Sequence, residues 1–222
     1  MSTGPVKTSD EITAYATERG IAEVLHFTTG NGVLGIFATG AVRSRDRLDS
    51  DQYIEHIYTP NCADRLKDAN WTDYINLSIS RVNGYMLGIS ANRWHNDGET
   101  WWAVLAFDAS TLADPDVYFT TTNNTYHGCV KRGTGVGGLR ELFAESVEWG
   151  HHGSRKTRYR GMPLAWTTDP QAEVLYPGQL SVNRLTAVYV RDGENLDHVN
   201  GLLGIFPNVP RVPVTVKPEV FQ

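Results

Sequence analysis

The sequence predicts a mixed α+β fold in a single domain of 222 residues. Three observations lead there: short strand-like apolar segments outnumber long helical ones, no apolar run nears the roughly 20 residues of a spanning helix, and no repeat or linker divides the chain. A chain of this length buries one substantial core.

The elements follow in order. Ser9-Asp10-Glu11 opens a helix that runs to about Arg19, with an N-cap candidate and acids at the positive end of the helix dipole, and Gly20 ends it. Residues 21–28 form a short strand. Val33, Leu34, Ile36 and Phe37 then recur at helical spacing until Gly40 supplies a C-cap. Residues 43–73, rich in Arg, Asp and Asn, form a long surface excursion with a short helix over 62–69, a length uncommon in loops unless they are functional.

Ile75, Leu77 and Ile79 alternate with polar partners as a strand, and 85–91 reads as a helix. Residues 100–107 are apolar and aromatic on both parities, which marks a central strand, and 117–121 is another. Leu139, Leu142, Phe143 and Val147 fall on one face of an amphipathic helix spanning 139–149. Strands at 172–175 and 185–190 come late, and the proline-punctuated stretch 207–218 cannot form a regular helix.

A net charge of −5 argues against a protein that simply coats nucleic acid, since such binding comes from neutralised phosphates. Charge is nonetheless clustered. Arg155, Lys156, Arg158 and Arg160, with Lys131 and Arg132 upstream, form either a local positive field or a solvated loop of scattered charges. The cysteines, Cys62 and Cys129, read as reduced thiols. The histidines form no paired-ligand pattern, so no metal is implied. The Met-Ser-Thr-Gly start lacks the regions of a signal peptide, and a cytoplasmic protein is expected.

Three motifs carry chemistry. Gly133-x-Gly135-x-x-Gly138 matches the dinucleotide-binding pattern by letter, but no buried parallel strand precedes it and no acid follows about 20 residues on, so a glycine loop capping a helix is expected. His26-Phe27-Thr28 ends a strand directly before a helix, where a His can hold a ribose diol and a Thr a carboxamide; the alternative is a core His bonded to backbone. Asp169-Pro-Gln-Ala-Glu173-Val-Leu-Tyr176 puts a carboxylate at the mouth of a late strand. There it can orient a ribose 2′-hydroxyl, stabilise positive charge as a glycosidic bond breaks, or take a proton. The alternative is a surface Glu.

Together these places resemble the DarT toxins, bacterial DNA ADP-ribosyltransferases related in fold to poly-ADP-ribose polymerases and diphtheria toxin. His26-Phe27-Thr28 with Val33, Ile36 and Gly40 resembles the family's first strand and helix. Asp73-Tyr74-Ile75-Asn76-Leu77, then Met86-Leu87, resembles its Asp-Tyr-Val strand and Met-Leu helix, and Gln171-Ala172-Glu173-Val174-Leu175 its Gln-Ala-Glu-Phe-Leu segment.

The resemblance implies an α+β ADP-ribosyltransferase-like domain over 1–222, with two small mixed sheets forming a central NAD-binding cleft, flanking helices, an N-terminal helix in 1–20 and a proline-rich tail in 207–222. It implies NAD⁺ as co-substrate and Glu173 as the catalytic glutamate. A catalytic arginine is best matched by Arg65, although Arg43, Arg45 and Arg47 lie in the same excursion. His26, Thr28, Asn31, Tyr74, Asn76 and Ser78 would line the NAD⁺ pocket.

The target would be a base of single-stranded DNA held out of the stack, with Arg155, Lys156, Arg158, Tyr159, Arg160 and Trp166 gripping it. A toxin of this kind implies an antitoxin that removes ADP-ribose, such as a macrodomain protein. The aromatic, proline-rich run that follows Asp-Tyr in thymine-modifying members is replaced here by Ser78-Ile-Ser-Arg81-Val-Asn-Gly84, a departure that points to guanine. An RNA, protein or water acceptor, or an inactive nucleic-acid-binding module, are the alternatives.

Overall fold

The computed structural model describes residues 8–49, 70–96, 98–151 and 153–222. Arg65 and the short helix expected over 62–69 lie outside the described residues. In chain order the first half contains α1 (Thr8–Arg19), β1 (Glu23–Thr29), α2 (Gly30–Thr39), β2 (Ala41–Arg43), α3 (Arg45–Asp49), β3 (Tyr74–Ile79), α4 (Gly84–Ile89), β4 (Trp102–Asp108) and β5 (Tyr118–Thr120). The second half contains β6 (Arg132–Gly133), α5 (Gly135–Glu141), β7 (Ser146–Glu148), β8 (Arg155–Thr157), β9 (Glu173–Pro177), β10 (Gln179–Ser181), β11 (Leu185–Val190), α6 (Gly193–Ile205) and β12 (Val214–Val216).

Eight strands join in the order β12-β11-β4-β1-β3-β9-β5-β6. β4 is apolar on both parities because both of its faces are covered. Ala103, Leu105 and Phe107 enter a core shared with α1, α2 and α6, while Trp102, Val104 and Ala106 pack with Leu87, Tyr189 and Phe221. β1 pairs with β4 along its whole length, from Glu23 opposite Asp108 to Thr29 opposite Trp102. With β3 it makes only two pairs, Val24 with Ile79 and Leu25 with Ser78. The sheet is therefore two half-sheets, β12-β11-β4-β1 and β3-β9-β5-β6, held by a short joint.

The helix expected over 139–149 is cut short. α5 ends at Glu141, and β7, paired with β8, takes 146–148. The reason is competition for carbonyls: Leu142 O accepts from Thr168 N at 2.8 Å and Glu145 O from Arg158 N at 2.9 Å, and Ala144 O accepts from Thr168 Oγ1 at 2.6 Å. With these carbonyls turned to partners outside the helix, the chain leaves the helical path after Glu141. Leu139, Leu142, Phe143 and Val147 are buried as their spacing suggests. α6 was not expected, although Asp192 caps it by accepting from Asn195 N and Val199 and Leu203 are buried. Within the proline-punctuated tail, β12 adds a parallel edge strand against β11, the sheet position where flanking prolines are tolerated.

The glycine motif turns out to be a packing device. A Cβ on Gly138 would stand 2.4 Å from the Gly133 carbonyl carbon, and one on Gly133 would stand 2.9 Å from Gly138 Cα. β6 and the first turn of α5 thus touch backbone to backbone, and these letters need no dinucleotide to explain them. Gly138→Ala should lower stability by about 1–3 kcal/mol through overpacking. Gly137→Ala, whose added methyl group meets open space, should leave urea unfolding unchanged or shift it slightly upward. Equal midpoints for the two variants would refute the packing account.

Candidate active site

Where β1 and β3 part, beyond Leu25, the side chain of His26 bridges them. Its Nδ1 lies 3.2 Å from the Asn76 main-chain oxygen. A carbonyl only accepts, so Nδ1 carries the proton and Nε2 is left as an acceptor. That Nε2 is buried and has no hydrogen-bond partner, and the same holds for Thr28 Oγ1 two residues along the strand. Burial pulls the imidazole pKa down to about 4, against the opposing bond to Asn76. The ring is therefore neutral at physiological pH. Two unpartnered polar atoms on one side of a buried strand fit a polar ligand, because such groups are otherwise paired.

The start of α2 closes tightly against this strand. Thr29 caps the helix through its hydroxyl, which accepts from Gly32 N at 3.0 Å. Gly32 has no room for a side chain, since a Cβ would come within 2.0 Å of Thr28 Oγ1. Asn31 is exposed on this first turn.

Glu173 is the first residue of β9 and only 8% exposed. Its Oε2 accepts from Asn124 N at 2.9 Å, and its own N–H donates to Thr120 Oγ1 at 3.2 Å. The preceding turn is built around Asp169, which is fully buried and accepts from Thr122 Oγ1 at 2.5 Å and from Gln171 N at 3.0 Å. Burial raises the Asp169 carboxyl above the usual carboxylate range, while the Thr122 and Gln171 bonds pull the other way. Ala172 N returns to Asp169 O at 3.1 Å, which closes the turn and delivers Glu173 to the strand mouth.

Strand register relates the two centres. Asn76 stands opposite Leu175, two residues from Glu173, so Tyr74, Asn76 and Ser78 share the Glu173 face of the sheet. His26 and Thr28 alternate with Leu25, the partner of Ser78, and lie on the other side at the joint. They meet β3 through the Asn76 carbonyl. Tyr74 packs with Trp71 and Tyr118, at ring-centroid distances of 5.1 and 6.0 Å.

The basic stretch divides by role. Arg158 spends its guanidinium on the loop itself, donating to Trp166 O at 2.7 Å and Pro163 O at 2.9 Å. Arg155 binds Ser146 and sits 3.7 Å from Glu148. Lys156 lies over Trp149, and Trp166 lies under Arg81, which also donates to Thr167 O. Tyr159 and Leu164 are exposed, and Arg160 is exposed with no hydrogen bond or ion pair among the described residues. Of the alternative arginines, Arg43 is in β2, Arg45 and Arg47 are in α3, and Arg47 pairs with Asp73 at 3.2 Å.

The sequence did not single out Asn124, Thr120, Asp169 or Arg81. Asp169 had a readable signal, an Asp before Pro that suits an Asx turn. Among the described residues no group of His, Cys, Asp and Glu could hold a metal ion, and no helix is long and apolar enough to cross a membrane.

The family model described as ssDNA thymidine ADP-ribosyltransferase, DarT, matches residues 25–222. Among solved structures, Thermus sp. 2.9 DarT in complex with NAD⁺ is similar at a TM-score of 0.64 and 14% identity, covering 90% of this chain and 98% of that one. The same Thermus protein in complex with ADP-ribosylated ssDNA gives a TM-score of 0.67 at 14% identity, covering 91% and 97%. Thermosipho africanus DarTG in complex with ADP-ribose gives 0.60 at 15% identity, covering 90% of this chain and 51% of that one. No curated protein matches the sequence.

The neutral His26 sets a pH dependence. Its pKa is about 4 when folded and 6.5 when unfolded, so the unfolded chain binds the proton more readily between those values. The group's contribution to stability is complete above pH 6.5 and falls away toward pH 4, by roughly 3 kcal/mol in all. Urea unfolding at several pH values should show this loss in the native protein and a flatter profile in His26→Gln. Parallel profiles would sink the assignment of a neutral buried ring.

Proposed function

Because this chain belongs to the DarT family of ssDNA ADP-ribosyltransferases, we propose that it moves ADP-ribose from NAD⁺ to a base of single-stranded DNA, with Glu173 as the acting carboxylate. The observation that carries this reading is a buried carboxylate held by a main-chain N–H at a strand mouth, with an unpartnered imidazole nitrogen two strands away, on the opposite face beside the point where β1 and β3 part. The relatives named above were solved with NAD⁺ and with ADP-ribosylated ssDNA, which supports the same pair of substrates here.

NAD⁺ supplies the ADP-ribosyl group on a positively charged nicotinamide that leaves as a neutral base. His26 Nε2 accepts from a ribose hydroxyl, and Thr28 and the exposed Asn31 on the first turn of α2 hold its neighbouring groups. Tyr74, Asn76 and Ser78 line the other wall. Glu173 stabilises the charge that develops at the sugar carbon as the bond to nicotinamide breaks, and takes the proton that the attacking base nitrogen gives up. Arg65, ahead of the Asp-Tyr strand, serves as the family's arginine, and residues 1–222 work as one domain.

The finer assignments follow the same reading. The family description names thymidine, while the departure over residues 78–84 favours guanine, and the acceptor assay below separates the two. Activity on DNA makes the protein a toxin, countered by an ADP-ribose-removing partner with a macrodomain. The Thermosipho DarTG chain, about twice the length this fold occupies in it, is in keeping with such a pairing.

Incubation with labelled NAD⁺ and separate DNA, RNA and protein pools, followed by mass spectrometry of short oligonucleotides, should find one added ADP-ribosyl group on DNA alone. Glu173→Gln should lower that rate by about 10²–10⁴-fold. Label on protein, or an unchanged Glu173→Gln rate, would contradict the reading. For the basic loop, Arg160→Ala should raise KM for the oligonucleotide and reduce the salt slope of binding by roughly 0.7 per lost phosphate contact, with NAD⁺ binding intact. A matching loss of NAD⁺ affinity would place Arg160 elsewhere than on the DNA.

A further inference from the structure

We propose that Arg132 is a positioning residue for Glu173 and acts through Asn124. The inference rests on the reading of Glu173 as the acting carboxylate. β5 lies between β6 and β9, and its Thr120 stands opposite both Arg132 and Glu173. The three residues therefore form a row on one face of the sheet, neighbouring Cβ atoms about 5 Å apart. Thr120 stands between the two charged residues, and one governs the other through a further residue.

The link is Asn124, which is fully buried. Arg132 Nε donates to its side-chain oxygen at 2.6 Å and Arg132 Nη2 to its main-chain oxygen at 2.7 Å. Gripped at both points by a planar fork, Asn124 cannot rotate its backbone without breaking one bond. The N–H of this same residue is the one that donates to Glu173 Oε2. From behind, the guanidinium is backed by Trp71, with its carbon 5.4 Å from the ring centroid. Trp71 in turn packs against Tyr74 and Tyr118, so the clamp is anchored to the β3 wall of the site.

This arrangement solves a specific problem. Asn124 lies in a loop, and loop N–H groups are poorly placed to hold a carboxylate within the fraction of an ångström that transfer needs. A bidentate cation converts that loop residue into a fixed donor. A lysine at 132 would keep the charge and lose the second anchor, which separates geometry from electrostatics.

Steady-state kinetics with NAD⁺ and a single-stranded oligonucleotide test the proposal, with thermal melting as the folding control. Arg132→Ala should lower kcat by about 10²-fold and leave KM for NAD⁺ unchanged, and Arg132→Lys should fall between it and the native enzyme. Asn124→Ala removes one anchor and leaves every charge in place, so it should lower kcat in the same direction by less, whether or not Arg132→Ala folds. In the Glu173→Gln background, Arg132→Ala should add no further loss to the residual rate.

Additive losses in that cycle, or a raised KM at native kcat, would overturn the proposal by showing that Arg132 meets substrate itself. Native kcat in Arg132→Ala would overturn it too. A fully active Glu173→Gln enzyme would instead remove the reading on which it rests, a result the single variants distinguish.

Discussion

Everything in the site depends on a joint of two residue pairs. Val24 with Ile79 and Leu25 with Ser78 hold the half-sheets together, and past Leu25 the ladder stops while β1 stays paired to β4 on its other edge. Strands that part inside a protein expose main-chain groups that must find partners. His26 meets one of these demands by donating to Asn76 O. With one nitrogen used on the backbone, the other, Nε2, is buried and has no hydrogen-bond partner. His26 thus ties the two half-sheets together by a side chain where the main-chain ladder between β1 and β3 ends.

Burial of polar groups is costly unless each is paired, and most of the buried polar groups around Glu173 are paired. In the turn before β9, Asp169, Gln171 and Thr167 bond to one another, and Thr122, from the segment after β5, donates to Asp169. Glu173 is held from the neighbouring loop. On β1 the buried atoms with no partner are His26 Nε2 and Thr28 Oγ1, two side chains to which the family resemblance, and not residue type alone, gave a pocket role. The tight glycine contact at Gly32 shows the cost of keeping Thr28 there: the helix has given up a side chain to let the hydroxyl sit at its first turn.

Much of this was legible in the sequence where one segment carries its own explanation. The alternation of Ile75, Leu77 and Ile79, the double-faced apolarity of β4, and Gly40 at the end of α2, with φ of 73°, each follow from local chemistry. What was not legible depends on distant partners. The helix read over 139–149 had correct inward residues and the wrong backbone, because Thr168 and Arg158 take its carbonyls. α6 carries a legible cap, Asp192, with Val199 and Leu203 buried at helical spacing. Arg132 was visible as a charge, but its grip on Asn124 arises only when β6 folds beside β5. Similarly, the glycine pattern at 133–138 is explained by two backbones in contact, which no motif of letters encodes.

The loop before Glu173 shows why clustered charge is a poor guide to which cations meet DNA. Arg158 and Arg81 donate to main-chain oxygens of residues 163, 166 and 167, so these N–H groups are committed to shaping the loop. What they shape is a rigid rim that ends at the Asp169 turn and runs directly into Glu173. Arg160, Tyr159 and Leu164 are exposed on that rim, where a base can stack and a phosphate can pair without ordering the loop at the moment of binding. On a chain with a net charge of −5 long-range attraction for DNA is weak. Under the proposed function, contact with DNA falls to this edge, whose position relative to Glu173 is set by the hydrogen bonds within the loop.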